Sequence, residues 1–191
     1  TAAPHTGCAQ FKDRFGVEAL RLTATPDGRE LRLRGINTRV VTGGTGGLGR
    51  GVVAALVEDG ANVWIPNVDA RLSADFPWKD HARVRLVEGV DLLDEGRVAE
   101  FYASVGDVYA PIHLVGGFKM APLAATSAAD LKKMLDLNAL SAFLCSKAAV
   151  AQMRANPGRG GRIVNVAARP ALTPTAGMVA YAVSKAAVVS L

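Results

Sequence analysis

From Thr38 to Leu191 the chain alternates two rhythms of apolar and polar positions. Short β-branched runs, "TRVVT", "NVWI", "VRLVEGV", "IHLV" and "RIVNV", are separated by longer stretches whose apolar residues recur every three or four places. The first rhythm predicts strands and the second amphipathic helices. Val52, Val53, Leu56 and Val57 stripe the first helix, which Asp59 and Gly60 end. Val98, Phe101, Tyr102 and Val105 mark the second. A long third helix, capped by Ser127 with Asp130 in its first turn, carries Leu131, Met134, Leu135, Leu137 and Phe143 up to "NPGRGG". A last helix bears Tyr181 and Lys185 and is still periodic at Leu191. Strands alternating with helices predict an α/β fold, a doubly wound parallel sheet covered on both faces. Residues 1–37 follow another pattern: "EALRLTATPDGRELRLRG" alternates on either side of Pro26, Asp27 and Gly28, which predicts an N-terminal extension with a small β-hairpin and no chemistry of its own.

Composition narrows the class. With 191 residues, half of them hydrophobic, the chain can bury one real core. Its net charge of +5 is scattered among acids without a like-charge block, so no nucleic-acid partner is expected. Cys8 and Cys145 have no metal-ligand spacing, which predicts no metal site and a reducing compartment. The N-terminus lacks the pattern of a signal peptide, and Lys185 interrupts the apolar stretch near the C-terminus; a cytoplasmic protein without a membrane span is expected. Thr1 in place of methionine predicts a start that is processed, trimmed or incomplete.

"TGGTGGLGR", Thr42 to Arg50, puts five glycines between the first strand and the first helix. Such a loop turns tightly and lets backbone N–H groups and the helix dipole meet a pyrophosphate. Gly43, Thr45, Gly47, Leu48 and Gly49 are the residues placed against a dinucleotide, and no Lys-Ser or Lys-Thr follows to make a kinase-like phosphate loop. Residues 38–191 therefore read as a Rossmann-like dinucleotide-binding domain. At the tip of the second strand a carboxylate would favour the free 2′-hydroxyl of NAD and a basic group the 2′-phosphate of NADP; Asn67 and Asp69 stand there, neither is basic, and the lean is slightly towards NAD. Asp69 also reads as a cap for the next helix.

Tyr181 and Lys185 lie one helical turn apart on one face. A phenol holds its proton tightly at neutral pH, and an ammonium one turn away eases its release, so the pair suits acid/base work on a substrate oxygen.

These residues resemble the short-chain dehydrogenase/reductase family in its classical branch. Thr42, Gly43, Gly47, Leu48 and Gly49 match its cofactor loop, and Tyr181 with Lys185 its Tyr-x-x-x-Lys motif. Gly43, Gly46 and Gly49 also fit the extended epimerase/dehydratase spacing; the distance from loop to tyrosine, and "LDLNALSAF" with Asn138 at the family's helix asparagine, are more similar to the classical branch. The resemblance implies an NAD(P)-dependent oxidoreductase moving hydride between nicotinamide and a small alcohol or carbonyl compound. Asn138, Tyr181 and Lys185 would be catalytic, Tyr181 as general acid/base and Asn138 holding a water that links Lys185 to solvent. Asp91 and Leu92 resemble the pair at the adenine, although Asp91 also reads as a helix cap. Gly116 and Lys185 would touch the coenzyme, and a homodimer or homotetramer is implied.

Three departures qualify that picture. "LVGGF" replaces the family's Asn-Asn-Ala-Gly, so Gly116 and Gly117 keep the close approach but lack side-chain amides. Ala168 stands where the family's serine hydroxyl would stabilise the carbonyl oxygen, and Thr173 or Thr175 is a substitute donor to consider. The chain ends before the family's sixth and seventh strands and lid, an expected C-terminal incompleteness. The alternative is a non-catalytic nucleotide-binding or regulatory relative.

Overall fold

The computed structural model describes residues 8–11, 20–24, 31–35, 38–69, 71, 74–155, 160–173 and 175–191. Three N-terminal strands, β1 (Cys8–Phe11), β2 (Leu20–Ala24) and β3 (Leu31–Gly35), form an antiparallel sheet in the order β1-β2-β3. Leu22 and Leu33 are register partners in the β2–β3 pair. The turn predicted at Pro26, Asp27 and Gly28 lies outside the described residues.

The main sheet is built from β4 (Thr38–Thr42), β5 (Asn62–Asn67), β6 (Val84–Glu88), β7 (Ala110–His113) and β8 (Val164–Asn165), all parallel, in the order β6-β5-β4-β7-β8. The order reverses at β4, whose carboxyl end is thus the topological switch point where open α/β sheets bind ligands. Among the described residues, α1 (Gly47–Glu58), α2 (Glu95–Val105), α3 (Ala128–Leu135), α4 (Ser141–Ala155) and α5 (Val179–Ser190) accompany the sheet.

Period-two alternation along β4 sends Val40 and Val41 to opposite faces. Val40 joins Phe101 and Tyr102 of α2 and Leu144 and Cys145 of α4 in one cluster, while Val41 joins Val53 of α1, Ile65 and Phe76 in the other. Each large aliphatic side chain so buried contributes about 1.5–3 kcal/mol. This is the doubly wound α/β architecture that the strand and helix rhythms predict.

A buried polar chain stitches three elements together. His113, at the end of β7 and 4% exposed, has Nε2 3.1 Å from the Tyr102 hydroxyl and Nδ1 2.7 Å from Asn165 Oδ1. An amide oxygen only accepts, so Nδ1 carries the proton and Nε2 accepts from Tyr102. Burial lowers His113 to about 4 and raises the Cys145 thiol to about 12, leaving an inert neutral ring and an inert thiol.

Three elements differ from the sequence pattern. The fourth strand runs Ala110–His113 rather than 112–115, because its pairing with β4 starts at Arg39↔Ala110 and ends with the Leu114 amide donating to the Thr42 carbonyl at 3.2 Å; the Val115 amide then reaches the Thr42 hydroxyl at 3.4 Å. The fifth strand is only Val164–Asn165, held to β7 at two register positions. The long third helix is interrupted by a π turn at Asp136–Leu140, where one extra residue is looped out between α3 and α4. Ser127 and Asp130 do form a reciprocal capping box at its start. The run Ala128–Ala155 is long and apolar enough to cross a membrane by composition, yet Met134, Ala142, Leu144, Cys145 and Ala149 of it are buried, as in a core helix.

Candidate active site

The glycine loop leaves β4 at Thr42 and enters α1 at Gly47. Gly43 takes a positive φ of 69°, and its carbonyl accepts from the Gly46 amide at 3.0 Å, closing a tight turn. A Cβ on Gly49 would stand 2.0 Å from that same carbonyl oxygen, so only glycine lets α1 pack against the turn. Gly46 caps α1 without a side chain and the first helical turn holds no acid, which leaves the helix's amide end available to an anion. The loop forms one wall of a crevice of about 440 Å³, whose other walls include Asn67, Asp91, Leu92, Val115 and Gly116. Gly43, Thr45, Gly47, Leu48 and Gly49 all line it, as do Asn67, Asp91, Leu92 and Gly116.

At the tip of β5, Asn67 is 5% exposed. Its amide nitrogen donates to the Asp69 carbonyl at 2.7 Å and to Glu88 Oε2 at 2.9 Å. Asp69 gives both carboxylate oxygens to Arg71, at 3.0 Å to Nε and 2.9 Å to Nη2, and this pairing holds it below the usual carboxylate range. Asp91 accepts from the Leu93 amide at 2.9 Å, while the cap of α2 is Asp94, which accepts from the Arg97 amide. The capping reading of Asp91 is therefore corrected: the sequence places two aspartates three apart, and only the second meets the helix's first turn.

Behind the crevice wall at Gly116, side chains from distant segments gather. Looped out by the π turn, Asn138 is 1% exposed and its amide clasps Gly117 on both sides, accepting from its N–H and donating to its carbonyl at 3.0 Å each. The second amide hydrogen goes to Ser184 Oγ at 2.9 Å, and Ser184 donates to the Tyr181 carbonyl at 2.7 Å. Lys185, 7% exposed, donates from Nζ to the Val166 carbonyl at 2.7 Å. Burial lowers the pKa of its ammonium. A Cβ on Gly116 would meet Asn138 Oδ1 at 2.4 Å and Lys185 Nζ at 3.5 Å. Gly116 thus lies both on the crevice wall and directly against the lysine. Tyr181 is half-buried, its ring 4.9 Å from that of Phe118 in an edge-to-face arrangement.

Ala168 is extended and precedes the short turn Arg169–Ala171 that packs on α5, with no hydroxyl to offer. Thr173 and Thr175 are exposed, and the Thr175 hydroxyl donates to the Thr173 carbonyl. Sequence reasoning missed Ser184, Phe118 and Glu88. Ser184 had a weak signal, sitting three residues after Tyr181 on its own helix; Phe118 and Glu88 act across strands and loops that periodicity does not pair.

Among the described residues no cluster of three metal-ligating side chains occurs. The open helix end, the apolar walls and Gly43, Gly44 and Gly49, where a Cβ would crowd the turn, fit a dinucleotide.

Comparison with known proteins agrees with that fit. The model of the short chain dehydrogenase family matches residues 37–191. A short-chain type dehydrogenase/reductase of Picea abies is 29% identical over 164 residues, covering 78% of this chain and 60% of that protein. An NADPH-dependent aldehyde reductase-like protein, chloroplastic, of Arabidopsis thaliana is 29% identical over 168 residues, covering 78% of this chain and 62% of that protein. The crystal structure of an oxidoreductase of the short chain dehydrogenase/reductase family from Burkholderia thailandensis superposes with a TM-score of 0.73 at 28% identity, covering 82% of this chain and 61% of that one. The chain thus spans about three fifths of the length of these relatives.

Proposed function

Because the chain belongs to the short-chain dehydrogenase family, whose members use NAD or NADP, we propose that it is an oxidoreductase acting on a small alcohol or carbonyl compound. The observation that supports this reading is Gly116, which lies on the wall of the glycine-loop crevice and against Lys185, one helical turn from Tyr181. A nicotinamide coenzyme in that crevice would supply or accept the hydride. Tyr181 exchanges the proton at the substrate oxygen, and the buried ammonium of Lys185, held on the Val166 carbonyl, favours its phenolate form. Asn138 acts as a positioning residue: its amide fixes Gly117 and Ser184, and through them the loop and helix that carry the reacting groups. NAD is the preferred coenzyme in this reading, since Arg71, the cation at the β5 tip, is already paired with Asp69. A homo-oligomer in the cytoplasm, with no nucleic-acid or membrane partner, completes the proposal.

Ala168 removes one hydrogen-bond donor from the carbonyl oxygen, which typically lowers the rate by about a hundredfold to a thousandfold. The reading of a nucleotide-binding relative without turnover draws on Ala168, where the site lacks a hydroxyl. The test is to titrate NADH and NADPH by fluorescence and assay a panel of alcohols and ketones with the wild type, Tyr181→Phe and Ala168→Ser. Coenzyme binding with slow turnover, lost in Tyr181→Phe and raised at least tenfold in Ala168→Ser, is the expected result. Folded protein that binds neither coenzyme overturns the proposal.

A further inference from the structure

Reading the 2′-hydroxyl of an adenosine ribose takes a carboxylate at the edge of the crevice beside the second strand of the nucleotide-binding unit. Here that strand is β5, and its tip does not supply one. An amide nitrogen has two hydrogens. Asn67 gives both away, to the Asp69 carbonyl and to Glu88, and is buried. Asp69 has both oxygens on Arg71. Glu88 differs from both. It is the register partner of Asn67 on β6, it is exposed, and its bond to Asn67 engages Oε2. Gly89, with a φ of 75°, turns the chain immediately afterwards, and the Val90 amide donates to the Asn67 carbonyl at 3.1 Å. Val90, Asp91 and Leu92, which follow that turn, line the crevice, as does Asn67, so the Glu88 carboxylate bonded to the Asn67 amide lies one side chain from that lining.

We infer that Glu88, oriented by Asn67, is the carboxylate that reads the ribose, displaced from the tip of β5 to the tip of the neighbouring strand; this rests on the coenzyme reading given above. Its carboxylate accepts the 2′-hydroxyl hydrogen bond of NAD and repels the 2′-phosphate of NADP. Asn67 is a positioning residue in this arrangement and makes no contact with the ribose.

The inference is tested by binding, without turnover. The wild type, Glu88→Gln and Glu88→Asp are titrated with NADH, NADPH and the 2′-deoxy analogue of NADH, following coenzyme fluorescence, with folding checked by circular dichroism. The wild type should prefer NADH to NADPH by about tenfold or more, as expected for a hydrogen bond to a charged group. Glu88→Gln should erase that preference and lose the discrimination between NADH and its deoxy analogue. Glu88→Asp, which keeps the charge but withdraws it by one methylene, should fall between. A Glu88→Gln protein whose NADH to NADPH ratio stays within twofold of wild type overturns the inference, as does a wild type that prefers NADPH. A folded wild type that binds neither coenzyme overturns the oxidoreductase reading itself, and with it this one.

Discussion

At the glycine-loop end of the crevice, between Gly43 and Gly49, the wall is built by consecutive residues of one tight turn. At the Tyr181 end, Asn138, Gly117 and Ser184 are brought together across separations of 21 and 46 residues. The first region is a local turn whose geometry follows from where side chains are missing; the second is a tertiary clasp in which each polar atom is bought out of water by one specific partner. The comparison shows why one half of a site can tolerate the loss of its usual side chains. "LVGGF" has no amide side chains, but Asn138 holds the Gly117 backbone directly, and Gly116 leaves the room that the lysine and the amide fill.

The largest expected effect separates the two ends outright. Tyr181→Phe should lower kcat by about a hundredfold to ten-thousandfold, the usual contribution of a general acid or base, while leaving NADH affinity within a few fold. Steady-state kinetics beside a fluorescence titration read both, and an equal loss in binding and turnover would make Tyr181 a structural residue only.

A second prediction strikes the seam between the ends, where His113 closes β7. Its folded-state pKa of about 4 lies below the ordinary 6.5, so the unfolded chain binds the proton more readily. Stability is therefore complete above pH 6.5, falls as the pH drops, and levels off below about 4. The loss over that window is about 3 kcal/mol. Urea denaturation at pH 7, 5.5 and 4.5 measures it, and His113→Gln should flatten this part of the slope.

Gly49→Ala should weaken the phosphate end alone. With the Gly43 carbonyl 2.0 Å from the new methyl, α1 or the loop must shift, at about 1–3 kcal/mol, and NADH affinity should fall about tenfold or more. A crowded helix that kept full affinity would show that the turn does not hold the phosphates. Asn138→Ala gives the smallest effect, about 1–3 kcal/mol of stability from leaving the Gly117 amide unpaired, read as a lowered Tm with kcat reduced more than NADH affinity.

Much of this molecule was legible in its residue order. Val40 and Val41, Val52 to Val57, and Phe101 with Tyr102 announce their faces by period, and the glycine turn and the Tyr181–Lys185 spacing are properties of contiguous residues. The π turn was not legible, because helix periodicity runs through Asp136–Leu140 unbroken in the residue types, and the Asn138–Gly117 bonds that accompany it join residues 21 apart. Nor was the short fourth strand, whose start is decided by its neighbour β4.

What residue order by itself determined is therefore everything that rests on backbone conformation and on spacing within one element: the alternating strands and helices, the phosphate turn, and a phenol one helical turn from an ammonium. What only the tertiary structure decided is which polar groups satisfy one another. Glu88 meets Asn67 because two strands pair in parallel, Asn138 meets Gly117 because a helix loops out beside a loop, and Lys185 meets the Val166 carbonyl because α5 lies beside the end of β8. Buried hydrogen-bonding groups must find partners, and the partner is chosen by proximity in the folded chain, where sequence separation has no bearing on distance.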